Sequence, residues 1–139
     1  MQLLSPLAIT TALVAAAGPP AQLQTAPRNL TVQATFTYGS GGTSADAWLQ
    51  TSLDGGLTWT DIANFHFTTA SARKVVNLSG ATPVTSQVTP TDGAMAANTV
   101  QDGLIGPDLR VKYASAGTYG AGTALRVDIA GYTIAGRPA

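Results

Sequence analysis

Side chains able to do acid–base or nucleophilic chemistry are few in this 139-residue chain: one histidine, seven aspartates, no glutamate and no cysteine. His66 lies between Phe65 and Phe67. Strand geometry puts successive side chains on opposite faces, so with both rings in a core the imidazole points to solvent or to an interface. A Ser-His-Asp relay needs a marked nucleophile, and no G-x-S-x-G elbow occurs. Glycoside hydrolysis needs a carboxylate pair. Asp46, Asp54, Asp92 and Asp102 fall in Gly-rich or polar stretches, where Asp supports a turn by accepting from nearby amides. Asp61, Asp108 and Asp128 sit at or beside strand-like runs, near Arg110 or Arg126 in sequence, and read as a solvated strand face or cross-strand ion pairs. Calcium would suit Asp and backbone oxygens, but no D-x-D-x-D-G loop is present. Without Cys there are no disulfides, thiolate metal sites or cysteine nucleophiles. The expectation is a protein with no catalytic residues, no cofactor and no metal.

Ser52, Asp54, Gly56, Thr58 and Trp59 occupy every fixed position of the Asp-box pattern S-x-D-x-G-x-T-W. The chemistry is local. Glycines supply positive φ in a tight hairpin, Ser and Asp side chains accept from turn amides that lack ladder partners, and Trp packs under the turn. The motif resembles the repeated hairpin of sialidases and other propeller proteins, where it lies away from the active site. Here it occurs once, so it reads as a structural hairpin rather than a sugar-binding blade. Trp48 and Trp59 flank it and, with Phe36, Tyr38, Phe65 and Phe67, read as core before they read as a sugar-stacking platform. Asn29-Leu-Thr31 and Asn77-Leu-Ser79 match the glycosylation acceptor pattern at a frequency expected by chance in a Ser/Thr-rich chain. The glycine runs 39–42 and 117–122 precede no helix, so a phosphate cradle is not expected.

The elements that must position these residues are strands. Leu30, Val32, Ala34, Phe36 and Tyr38 alternate with Thr31, Gln33, Thr35 and Thr37, which predicts a half-buried strand with a Thr-lined outer face. Further strands are expected at 47–52, 58–67, 74–78, 84–89, 110–114 and 124–132. Asp54-Gly55-Gly56 marks a hairpin between the second and third. Residues 91–108, with Asp92-Gly93, Asp102-Gly103 and Gly106-Pro107, read as a long binding or contact loop holding one helical turn at 94–100. Pro19, Pro20 and Pro27 make 18–28 an extended connector. No internal repeat is visible.

Composition agrees. There are 20 Thr and 15 Gly against 2 Lys and no Glu, so surface-helix formers are scarce and strand formers plentiful. Seven Lys plus Arg balance seven Asp, and charged residues are 10% of the chain against a usual quarter or so. That excludes a basic nucleic-acid-binding patch. The 45% apolar content excludes a disordered chain. The N-terminal apolar stretch lacks any Lys or Arg before Arg28 and is interrupted by Pro6. It is expected to be an ordered arm rather than a secretory signal or a membrane span. The fold expectation is therefore all-β, a single β-sandwich over residues 28–139 preceded by an extended arm over 1–27.

Residues Arg28–Thr43, Trp48–Ile62 and Leu109–Tyr113, with the opening Leu3–Leu7, resemble a family of small virion proteins encoded in tailed-phage and prophage genomes. The resemblance extends over most of 28–132. Its best-fitting class is the capsid cement or decoration protein with a jelly-roll-like sandwich. This implies a non-catalytic structural protein on the capsid surface, made in the bacterial host cytoplasm, that clamps contacts between capsid subunits. Its partners would be the major capsid protein and further copies of itself, with no nucleic acid and no membrane. A neck or tail component in low copy number and a carbohydrate-binding β-sandwich module are the alternatives. Few charges leave little to keep a lone domain soluble, and burial in an assembly resolves that difficulty. The arm residues Leu3, Leu4, Leu7, Ile9, Leu13 and Val14 are expected to dock on a neighbour, the alternative being that the arm adds a strand to its own sandwich.

Overall fold

Alternation of apolar and Thr, Gln or Lys side chains, punctuated by glycine turns, produces strands throughout the computed structural model, which describes residues 1–131. They are β1 (Gln2–Ala8), β2 (Ala16–Ala17), β3 (Ala21–Gln22), β4 (Asn29–Thr37), β5 (Ser40–Gly41), β6 (Ser44–Ser52), β7 (Thr60–Phe67), β8 (Ala72–Ser79), β9 (Asp108–Ala116), β10 (Tyr119–Gly120) and β11 (Ala124–Ala130). One sheet has the order β1-β11-β4-β8. The second has β2 and β3 on β9, then β6, then β7, and β5 and β10 form a small separate ladder. All pairings are antiparallel. The protein is all-β, and the two larger sheets face each other across one core.

That core is the alternation made physical. Leu30, Val32, Ala34 and Phe36 of β4 meet Ala47, Leu49, Ile62, Phe65 and Phe67 of the opposite sheet, all essentially inaccessible to solvent. Phe36 stacks on Phe67 with ring centroids 5.1 Å apart, and Tyr119 meets Phe36 edge-on at 5.7 Å. A register irregularity between Leu49 and Gln50 resets the alternation on β7. Ile62 and Ala63 therefore both enter the core, while Asp61 and Gln50 pair outside it. Such bulges re-aim side chains in this way. Thr31 and Thr37 lie exposed on the outer face of the first sheet, as the pattern requires.

Three expectations are corrected. First, the arm is not a separate extended piece. β1 pairs with β11 at the edge of the first sheet, and Leu3, Leu4 and Ile9 lie in the chain's own core. Two bulges in β1 accommodate Pro6 and turn both Leu3 and Leu4 inward, the kind of place where an edge strand tolerates proline. Beyond it, the Leu13 amide donates to the Ser115 hydroxyl and its carbonyl accepts from the Ser115 amide, Gly18 donates to Val111 and Leu23 to Pro107, so the arm edges both sheets. Second, 84–89 is not a strand, because it finds no free edge to pair with. The exposed edge of β7 is taken by Thr91 and Thr99, whose carbonyls accept from Asp61 and Asn64, and by Gln101, which donates to Ile62. Third, 94–100 makes turns without a helix, and Val100 bridges Ala63. The connection between β8 and β9 is thus one irregular segment, 80–107, lying over the outer face of the second sheet. Tyr132, expected at the end of the last strand, and the rest of the domain expected to run to Ala139 lie outside the described residues.

Candidate functional site: the Asp-box end of the sandwich

Among the described residues the β6–β7 hairpin alone joins two long strands that are consecutive in the chain and hydrogen-bonded to each other. It projects from one end of the sandwich, and its turn is built by its side chains. The Ser52 hydroxyl accepts from the Gly56 amide at 2.8 Å and donates to Asp54 Oδ1 at 2.9 Å. Asp54 Oδ1 also accepts from the Thr58 amide at 2.9 Å, and Oδ2 from the Thr58 hydroxyl. Gly55 and Gly56 hold φ of 74° and 95°. The Thr58 hydroxyl and amide, with the Ser52 hydroxyl, hold the Asp54 carboxyl down at about 2. Ser52, Asp54, Gly56 and Thr58 are therefore brought together in one turn.

Trp59 is half-buried, and the Arg110 guanidinium lies over its ring at 4.3 Å from the centroid. Burial pushes the Arg110 pKa down, while Asp92 and Asp61 oppose that. Trp48 is buried outside the inter-sheet core, beneath the 80–107 segment, where its indole N–H donates to the Met95 carbonyl at 3.1 Å. It is packed and satisfied, so it offers no stacking platform.

The polar residues of this outer face are organised around a carboxylate that sequence reasoning placed on a solvated strand. Asp61 is buried and accepts from the amides of Gly93, Ala94 and Met95, from the Thr91 hydroxyl and from the Gln50 carboxamide, all within 3.1 Å. Gln50 also donates to Asp92 and accepts from Arg110. The Gln50 amide first, then Lys112 and Arg110, draw the Asp92 pKa down. This network pins the long loop to the sheet. Asp102 performs a smaller version, accepting from the amides of Ser79 and Gly103. Asp128 pairs with Arg126 on the same strand at 2.8 Å.

His66 and Asp46 are brought together: His66 Nδ1 lies 2.9 Å from Asp46 Oδ1, and Asn64 also donates to Asp46. Asp46 is on β6, not in the turn expected for it. No hydroxyl among the described residues hydrogen-bonds the imidazole, which is what a nucleophilic relay would require. The described residues contain no group of three or more His, Asp or Glu side chains able to hold a metal, and no helix long and apolar enough to cross a membrane.

The partner-contact residues are redistributed. Leu3, Leu4 and Ile9 are spent in the core, Leu7 and Leu13 are partly buried against it, and Val14 is 88% exposed. Only Val14 keeps the docking availability expected of the arm. In its place the structure exposes two leucines at the hairpin tip, Leu53 at 69% and Leu57 at 85%. Leu53 borders a depression of about 370 Å³ walled also by Val84, Val88, Pro90 and Leu104. These leucines fill the variable positions of the Asp box, which sequence reasoning passed over; two large apolar residues flanking Asp-Gly-Gly were the available signal. Compared with known proteins, the chain matches no family model, no curated protein and no solved structure.

Proposed function

We propose that this chain is a non-catalytic structural protein of a tailed-phage virion, a capsid cement or decoration protein clamping contacts between capsid subunits. The observation that carries the reading is the apolar end of the sandwich. Leu53 and Leu57 stand out on a hairpin whose backbone is fixed by its own side chains, beside a depression with apolar walls. Exposed apolar surface of this kind on a rigid scaffold marks a protein contact. The low charge of the chain supports the same reading, because little else opposes burial in an assembly. Counting β2 and β3 as one interrupted strand and leaving out the small β5–β10 ladder, the eight remaining strands run one-eight-three-six in the first sheet and two-seven-four-five in the second. That order supports reading the sandwich as a jelly roll, an architecture found in viral capsid domains. The likeness of 28–43, 48–62 and 109–113 to small tailed-phage virion proteins points the same way.

On this reading the clamp is the hairpin end rather than the arm, with the major capsid protein and further copies of this chain as partners. The test is stoichiometry: quantify the chain against the major capsid protein in purified particles by mass spectrometry. One copy per capsid subunit, or a simple lattice fraction of it, is expected. A handful of copies per particle would place the chain in the neck or tail, and absence from particles would overturn the virion reading.

A further inference from the structure

The hairpin carries ligand chemistry on a second flank that neither the turn nor an apolar contact uses. Trp59 borders a cleft of about 280 Å³ whose walls are Pro20, Gln22, Gly55, Gly56 and Asp108. Arg110, which covers one face of the ring, is not part of that wall. Gly56 lies beside the ring edge, where a Cβ would stand 3.8 Å from Trp59 Cζ2.

Asp108 is the unexplained group. It is 9% exposed, yet among the described residues no donor hydrogen-bonds its carboxylate, while its backbone carbonyl accepts from the Thr51 hydroxyl. The fully enclosed polar side-chain atoms of the described residues all have partners, so Asp108 keeps its acceptor capacity where a ligand reaches it. Gln22 is directly opposite Asp108 across the β3–β9 pair, and Ser52 is opposite it on β6. Residues so paired share a face, which puts a carboxamide beside the carboxylate at the edge of the indole.

We propose that this cleft binds a saccharide. A pyranose would lay its C–H face on the uncovered part of the Trp59 indole while its hydroxyls donate to the Asp108 carboxylate and exchange hydrogen bonds with Gln22. Indole supplies apolar area with a fixed orientation, a carboxylate accepts strongly from hydroxyls, and a carboxamide both donates and accepts. A cationic side chain would also be drawn to a carboxylate near an aromatic ring. That ring already serves Arg110, which weakens its pull on a second cation, and the remaining wall is uncharged. The site is independent of the virion reading and would stand if that reading fell.

The two indole N–H signals in a nuclear magnetic resonance titration of the isotope-labelled full chain distinguish the outcomes. The probes are a panel of methyl pyranosides and, separately, N-acetyl-lysine methylamide. Trp48, held by Met95, is the internal control. Saturable movement of the Trp59 signal with a pyranoside is expected, lost in Trp59→Ala and weakened about tenfold in Asp108→Asn, a near-isosteric change that removes the charged acceptor. Three results would overturn the proposal: no pyranoside moving the Trp59 signal, movement undiminished in Asp108→Asn, or movement with the lysine amide and with no sugar.

Discussion

The Asp54 carboxyl sits at about 2 against an ordinary 3.8 because Thr58 and Ser52 hydrogen-bond its charged form. A folded-state pKa below the unfolded one contributes stability that is complete above the unfolded value and lost as pH falls through the folded one. Asp92 and Asp102 are lowered in the same direction. Denaturant midpoints should therefore hold down to about pH 4 and fall toward pH 2, with a shallower acid fall in Asp54→Asn. An equal acid slope in that variant would show that the hairpin bonds do not set it. Asp61 has a different weight, because it is buried and answers to three loop amides. Asp61→Ala leaves those amides, the Thr91 hydroxyl and one Gln50 N–H without their acceptor and should cost about 3 kcal/mol, whereas Asp61→Asn, which keeps one acceptor, should cost less. Urea unfolding followed by the fluorescence of Trp48, under the same loop, measures both. Asp54 was legible in the sequence because its partners lie within four residues. Asp61 was not, because its partners arrive from some thirty residues further on.

At the scale of elements, the hairpin and the long strands were readable, since alternation and turn glycines are local signals. The failed strand at 84–89 shows the limit: Val84–Thr89 alternates well enough, but a strand needs an edge, and 91–101 had taken that of β7. The hairpin leucines give the sharpest functional prediction. The double substitution Leu53→Ser with Leu57→Ser touches no turn bond, so stability should change by less than about 0.5 kcal/mol. On the proposed virion role, binding of the purified chain to particles stripped of it should weaken tenfold or more, on the basis that apolar anchors dominate interfaces. Unchanged binding would remove the hairpin end from the clamp. At the β4–β6 crossover, Gly42 holds φ of 70° with the Tyr119 ring where a side chain would go. Gly42→Ala must displace a ring packed between Phe36 and Tyr38, and a loss of about 2 kcal/mol or more in thermal unfolding is expected.

For the whole molecule, the decisive feature is that the N-terminal segment completes both sheets. Leu4→Ala should cost about 2–5 kcal/mol as a core truncation. Deleting residues 1–9 removes Leu3, Leu4 and Ile9 together and bares the β11 edge, so the shortened chain should unfold or self-associate through that edge, read by circular dichroism and light scattering. A folded, monomeric truncation that had lost only particle binding would restore the arm as the docking element. The sequence by itself determined the class of structure: alternating β-branched and apolar residues with glycine turns and almost no helix formers leave strands as the outcome, and the Asp box dictates its own hairpin. Tertiary structure decided where each strand found its edge, which turned the arm inward, left 84–89 unpaired, joined His66 to Asp46 and set Asp108 beside Trp59. The physical reason is range. Turn chemistry and alternation act over two to four residues, whereas edge pairing and buried charge are settled between residues that only folding brings together.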